Sequence, residues 1–231
     1  MSDIKISVKN NRGEIYAAGH DQNVKPGAKK VDNAFETDMG KKPLKKILIL
    51  SSNPQLTPRL SLDEEVREIE EGLLRSKYRS QFEIRSRAAV RLRDLRRALL
   101  DEEPQIVHFT GHGERSGLWV EDDKGVPALI SSNSLAGLFE LYSTRVQCVI
   151  LSACHSSAQA AAIKKHIKYV IGMRKEINVK AATEFALGFY DALGGGKSIE
   201  ESFKFGCNAI LQVFPKLSDH LIPVLEKGGR P

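Results

Sequence analysis

From residue 45 onward, short apolar runs rich in branched side chains alternate with stretches whose apolar residues recur at helical spacing. The runs are Ile47–Leu50, Phe82–Ile84, Ile106–Phe109, Val149–Leu151 and Tyr169–Ile171. Between them, Leu62, Val66, Ile69 and Leu73 share one helical face, as do Leu92, Leu95 and Leu99, then Leu135, Leu138 and Leu141. An Ala-rich stretch follows through Ile163. A strand that is apolar on both sides is covered on both faces, and parallel neighbours need a crossover of about a dozen residues. The pattern therefore predicts an α/β/α sandwich around a mostly parallel sheet. Further helices are expected around 181–193 and 199–213, and Leu221–Leu225 reads as a final edge strand, where Pro223 is tolerable. Ser61 and Glu64 have the spacing of a capping box at the first helix.

Residues 1–43 differ. They are rich in Asn, Gly, Lys and Asp, and Ile4–Val8 and Glu14–Ala18 alternate like two short strands joined at Asn10–Gly13. They are expected to form an N-terminal interaction segment and linker, leaving 44–231 as the main domain. The whole chain has 231 residues, 41% hydrophobic and 28% charged, which suits one globular domain with a tail. No apolar run approaches the roughly 20 residues needed to cross a bilayer. Met1–Lys5 lacks the charged-then-apolar pattern of a secretory signal, so a cytoplasmic location is expected. Cys148, Cys154 and Cys207 have neither disulfide-framework nor metal-ligand spacing, so no metal and no cofactor is expected.

Two segments carry the chemistry. Ile106–Gly113 ends in Gly111-His112-Gly113, and Val149–Ser157 breaks into small polar residues at Ser152-Ala153-Cys154. If their strands are neighbours in one parallel sheet, an imidazole and a thiol meet at its carboxyl edge, where open α/β sheets bind ligands. Imidazole next to thiol is the minimum for nucleophilic attack on a carbonyl, because the ring can take the thiol proton or stabilise the thiolate. Backbone N–H groups of Gly113 and Cys154 could then hold the oxyanion. Small residues on both sides would let a substrate main chain approach, with Ser152, Ala153 and Trp119 as candidate pocket residues. No carboxylate or amide partner for His112 is evident, so its expected orienting group is backbone. Either segment alone would read as structural, since a buried strand-end Cys is usually inert.

Val107–Gly113, Val149–Cys154 and the downstream Ala181–Leu193 followed by Gly196-Lys-Ser198 resemble the CHAT-domain peptidases, relatives of caspases, metacaspases and separases. The resemblance spans about residues 44–227. It implies the caspase-like αβα sandwich, with His112 as general base, Cys154 as nucleophile and Gly113 in the oxyanion hole. It also implies a protein substrate and a bacterial defence or regulated cell-death setting. In metacaspases an Asp stands two residues before the nucleophile, and in caspases a Gln; here Ser152 does, which leaves the preference at the scissile residue open.

Other features are weighed and set aside. Nine basic residues against two acidic between Arg75 and Arg97 read as a solvated face rather than a nucleic-acid stripe, since no nucleic-acid module surrounds them. Gly194–Ser198 lacks the first glycine and the preceding strand of a phosphate loop, and reads as a helix terminator. His108, Cys148 and Cys207 are expected to be packed, His155 to point away from the nucleophile, and Glu121–Asp123 to be a solvated turn. Two functions compete: a cysteine endopeptidase using His112 and Cys154, and a non-catalytic adaptor recruited, or self-assembling, through residues 1–40 by strand pairing.

Overall fold

The computed structural model describes residues 44–216 and 222–228, so the N-terminal hairpin and linker expected over residues 1–43 lie outside the described residues. The chain forms β1 (Lys45–Ser52), α1 (Leu62–Arg75), β2 (Phe82–Arg87), α2 (Leu92–Glu102) and β3 (Ile106–Gly111). A small excursion follows: β4 (Gly113–Glu114), β5 (Gly117–Glu121), β6 (Pro127–Ser131) and α3 (Ser132–Glu140). Then come β7 (Cys148–Ser152), α4 (Ser157–Ile163), β8 (Tyr169–Met173), α5 (Val179–Gly194), α6 (Ile199–Val213) and β9 (Pro223–Lys227).

The main sheet has the order β2-β1-β3-β7-β8-β9, parallel except for the β8–β9 pair. The six-stranded αβα sandwich is thus the expected fold, with β9 as the antiparallel edge. Alternation along each strand sends side chains to two cores. Ile47, Ile49, Cys148 and Ile150 pack with α1, α5 and α6, while Leu48, Leu50, Val149 and Leu151 pack with α2, α3 and α4. Each such wholly buried aliphatic contributes roughly 1.5–3 kcal/mol. Exposed ion pairs add at most about 1 kcal/mol each, so the two apolar layers hold the fold.

The connection from β1 leads outward to β2, whereas β3 returns to the other side of β1. The strands stay paired to Ser52↔Gly111, but the connections leaving their carboxyl ends run in opposite directions, which makes this edge the topological switch point. An opening lies between β7 and β8. Their pairing stops at Ile150↔Ile171, and the buried Ser156 hydroxyl spans the gap, donating to Leu151 O (2.9 Å) and accepting from Met173 N (2.9 Å).

Several local expectations change. Ser61 precedes α1, but its ψ of 56° turns the hydroxyl away and no side-chain cap forms. The complete Ser/Glu box instead opens α6, where Ser198 and Glu201 bond reciprocally. Leu92 and Leu141 leave their expected apolar stripes and are exposed, the first at the start of α2 and the second just past α3. Gly194–Gly196 does terminate α5, with Gly196 at φ 88°. In the basic stretch, Arg85 and Arg87 converge on the nearly buried Glu102, and Arg91 and Arg93 pair with Asp94 and Asp123. Those guanidiniums are neutralised by carboxylates rather than presented to phosphate, and charges along edge strand β2 oppose strand addition there.

Candidate active site

His112 follows β3 directly, and Cys154 lies two residues past β7, the strand that pairs with β3 from Ile106↔Cys148 to Thr110↔Ser152. The two strand ends are in intimate contact. A methyl group built on Gly113 would lie 2.8 Å from the carbonyl oxygen of Cys154 and 2.9 Å from Cβ of Ala153. Only a residue without a side chain lets these backbones meet. Gly111 is equally constrained, because a Cβ there would sit 2.6 Å from the carbonyl oxygen of Ser52 on β1. The Gly-His-Gly turn is thus clasped between the carboxyl ends of β1 and β7.

The His112 imidazole is half-buried, and Nε2 lies 2.8 Å from the carbonyl oxygen of Pro58. A carbonyl only accepts, so Nε2 carries a hydrogen, and in the neutral ring the lone pair then falls on Nδ1, the form a general base requires. Pro58 belongs to the loop between β1 and α1. Asn53 closes this loop, its amide donating to Leu60 O (3.1 Å) and its oxygen accepting from Leu60 N (3.4 Å). A second tie, Gln55 N to Gly125 O (3.0 Å), fixes the loop to the β5–β6 hairpin. The same loop borders a cavity of about 380 Å³ reaching Ala89 and Glu121.

Cys154 is half-buried and free, with Sγ 4.0 Å from the Ile177 carbonyl oxygen in the loop after β8. The other two thiols are buried, and burial raises both: Cys207 to about 11 and Cys148 further still. Immediately after Cys154, His155 adopts φ 56°, a strained conformation for a residue with a side chain. The cap before α4 is not a hydroxyl aimed at the helix, because Ser156 is engaged with β7 and β8.

Ser152 and Ala153 are almost wholly covered, at 6% and 1% exposure, and the Ser152 hydroxyl has no hydrogen-bond partner among the described residues. Trp119 is half-buried on β5 opposite Leu129. Pro58, which acts through a backbone atom, has no side-chain signature; its only signal is its place after β1 at the switch point. Glu65 and Thr110 were also illegible as partners. Thr110 Oγ1 donates to Glu65 Oε2 (2.7 Å), and His108 lies between Glu65 Oε1 (3.4 Å from Nε2) and the Tyr190 hydroxyl (3.1 Å from Nδ1). This buried polar chain ties α1 and α5 to β3 just below His112.

The sandwich with Gly-His-Gly and Ala-Cys at adjoining strand ends defines a caspase-like α/β fold. Solved structures share it: a secreted C11 cysteine protease from Bacteroides thetaiotaomicron bound to an irreversible peptide inhibitor has a TM-score of 0.56 at 13% identity, covering 75% of this chain and 59% of that one. The Arg-specific cysteine proteinase gingipain R gives 0.57 at 13% identity, covering 79% and 45%. Caspase-1 from Spodoptera frugiperda gives 0.55 at 12% identity, covering 81% and 87%. The CHAT domain profile matches residues 29–204, and the chain belongs to the CHAT domain family. A protein named "Probable protease" from Gillisia limnaea is 28% identical over 207 residues, 83% of this chain. The chain spans only 37% of that relative's length.

Proposed function

We propose that this chain is a cysteine endopeptidase acting on a protein substrate, with Cys154 as nucleophile and His112 as general base. The observation that carries this reading is the packing of Gly113 on the Ala153–Cys154 backbone, beside an imidazole whose Nε2 is engaged by Pro58. In the first step Nδ1 of His112 takes the thiol proton and Sγ attacks the scissile carbonyl. The backbone N–H groups of Gly113 and Cys154 stabilise the oxyanion. Collapse of the tetrahedral intermediate breaks the C–N bond, the imidazolium returns its proton to the leaving amine, and water then hydrolyses the thioester. Trp119, half-buried and bonded through its backbone N–H to His112 O (3.0 Å), borders the scissile residue, whereas the covered Ser152 and Ala153 support the site from beneath rather than line the expected pocket. Family membership and the protease-named relative support this reading, as does the shared fold of three cysteine proteases. A bacterial defence or regulated cell-death setting is proposed on the family resemblance alone.

The test is digestion of a proteome-derived peptide library by the purified chain and by Cys154→Ala and His112→Ala variants. Cleavage by the unaltered chain and its loss in both variants, with unchanged melting temperatures, is the expected result. Equal cleavage by Cys154→Ala would overturn the reading.

A further inference from the structure

Beside the nucleophile lies a second cavity, of about 480 Å³, bounded by four segments. Arg115 comes from the β4–β5 turn, His155 and Ser157 from the turn after Cys154 and the start of α4, Arg174 from just past β8, and Val224 and Glu226 from β9. The first three are tied from behind. The fully buried Gln159 donates its amide to the carbonyls of both Glu114 (3.1 Å) and Arg115 (3.2 Å). Arg174 N bonds Ile222 O (2.9 Å), and His155 N bonds Lys175 O (3.2 Å).

The charges on this wall are unbalanced. Among the described residues, neither Arg115 nor Arg174 has a carboxylate within ion-pair distance, a condition they share with Arg59, Arg75, Arg79, Arg96 and Arg97, but only these two line one cavity next to Cys154. The one acid on the wall, Glu226, is already bonded to Lys164 at 2.5 Å. Glu114, next to Arg115, bonds Ser116. His155 Nδ1 is buried without a partner. The cavity beside Pro58 is different, since Asp63 and Glu121 line it together with Arg59. Both arginines are exposed, and a guanidinium presents the planar fork that pairs with a carboxylate, so the two side chains can converge on one acidic group in the cavity.

Resting on the proposed peptidase reading, we infer that this cavity is a specificity subsite for an acidic side chain, Asp or Glu, of the polypeptide substrate close to the scissile bond. The cavity begins one residue beyond Cys154, so a chain lying across the thiol reaches it within a residue or two. Arg115 and Arg174 are the specificity-determining residues.

The experiment uses positional-scanning decapeptide libraries in which one position at a time is fixed as Asp, Glu, Asn, Gln or Arg. At one position the Asp or Glu sublibrary should be cleaved at least tenfold faster than its amide counterpart. That preference should vanish in the Arg115→Gln/Arg174→Gln double variant and shift toward Arg in Arg174→Glu. No acidic preference at any position, or one that survives both substitutions, would overturn the inference. If the unaltered chain cleaves nothing, the peptidase reading fails separately. Binding of the same fluorescent sublibraries to the Cys154→Ala chain then decides the subsite. Tighter acidic binding that requires both arginines supports it, and equal binding of acid and amide sublibraries refutes it.

Discussion

The Pro58 carbonyl lies 2.8 Å from Nε2 of His112, so the imidazole is oriented by main chain rather than by a carboxylate. No side chain can be deleted to remove that contact. The loop that delivers it can be loosened instead. Asn53→Ala removes both hydrogen bonds to Leu60 and should cost about 1 kcal/mol each in stability. Because His112 is then held less firmly, kcat should fall about tenfold with little change in KM, a split that steady-state kinetics measures. An unchanged kcat would show that the Pro58 carbonyl stays in place without the Asn53 clamp.

Gly113→Ala tests the contact between the two strand ends. Its methyl group would press on a backbone oxygen and on Ala153, neither of which is the flexible end of a side chain. The strand ends must part, moving the proposed oxyanion donor. The expected outcome is a loss of about 10²–10³ in kcat. A stability cost of roughly 1–3 kcal/mol should accompany it in urea unfolding. Full activity in Gly113→Ala would remove this backbone from the chemistry.

Most of the fold was legible because the central strands are apolar on both faces and the first crossover helix shows a clean stripe, as with Ile47–Leu50 and Leu62–Leu73, whereas Leu92 and Leu141 fit the helical spacing yet lie exposed at helix ends. The Gly-His-Gly and Ala-Cys breaks were legible for a related reason: small residues interrupt strands where backbones must meet. What stayed hidden acts through main-chain atoms or across long sequence separations. Pro58 offers a carbonyl 54 residues from His112, and Gln159 reaches back 44 residues to Arg115 O. The Ser61 box failed because its spacing is satisfied while the backbone angle is not. At Ser198 spacing and angle agree.

The three thiols should react in a fixed order. Iodoacetamide at pH 8 should modify the half-buried Cys154 first, leaving Cys148 and Cys207 until denaturant is added. Burial raises Cys207 from 9.0 to about 11, so between those pH values the unfolded chain loses this proton while the folded chain keeps it. Stability contributed by the protonated thiol is full below pH 9 and falls as pH rises through 11, by about 3 kcal/mol at most. Cys148 shifts in the same direction and extends the loss to higher pH. Urea unfolding at pH 8 and 10.5 should show the decline, and Cys207→Ala should lessen it. A stability constant across that range would contradict the burial of both thiols.

Glu65 occupies the first turn of α1, where a helix favours a carboxylate, yet it is only 2% exposed. Its two oxygens face Thr110 and His108 on β3. Thr110→Val replaces a donor with a methyl group and leaves Oε2 without its partner, so it should destabilise by about 1–3 kcal/mol. Thr110→Ser keeps the hydroxyl and should cost less. Since α1 follows the Pro58 loop directly, Thr110→Val should also lower kcat with little change in KM, a split that steady-state kinetics measures. Restoration of stability and kcat by Ser would tie the buried carboxylate to the placement of His112. A stability loss with unchanged kcat would confine Glu65 to holding the helix on the sheet.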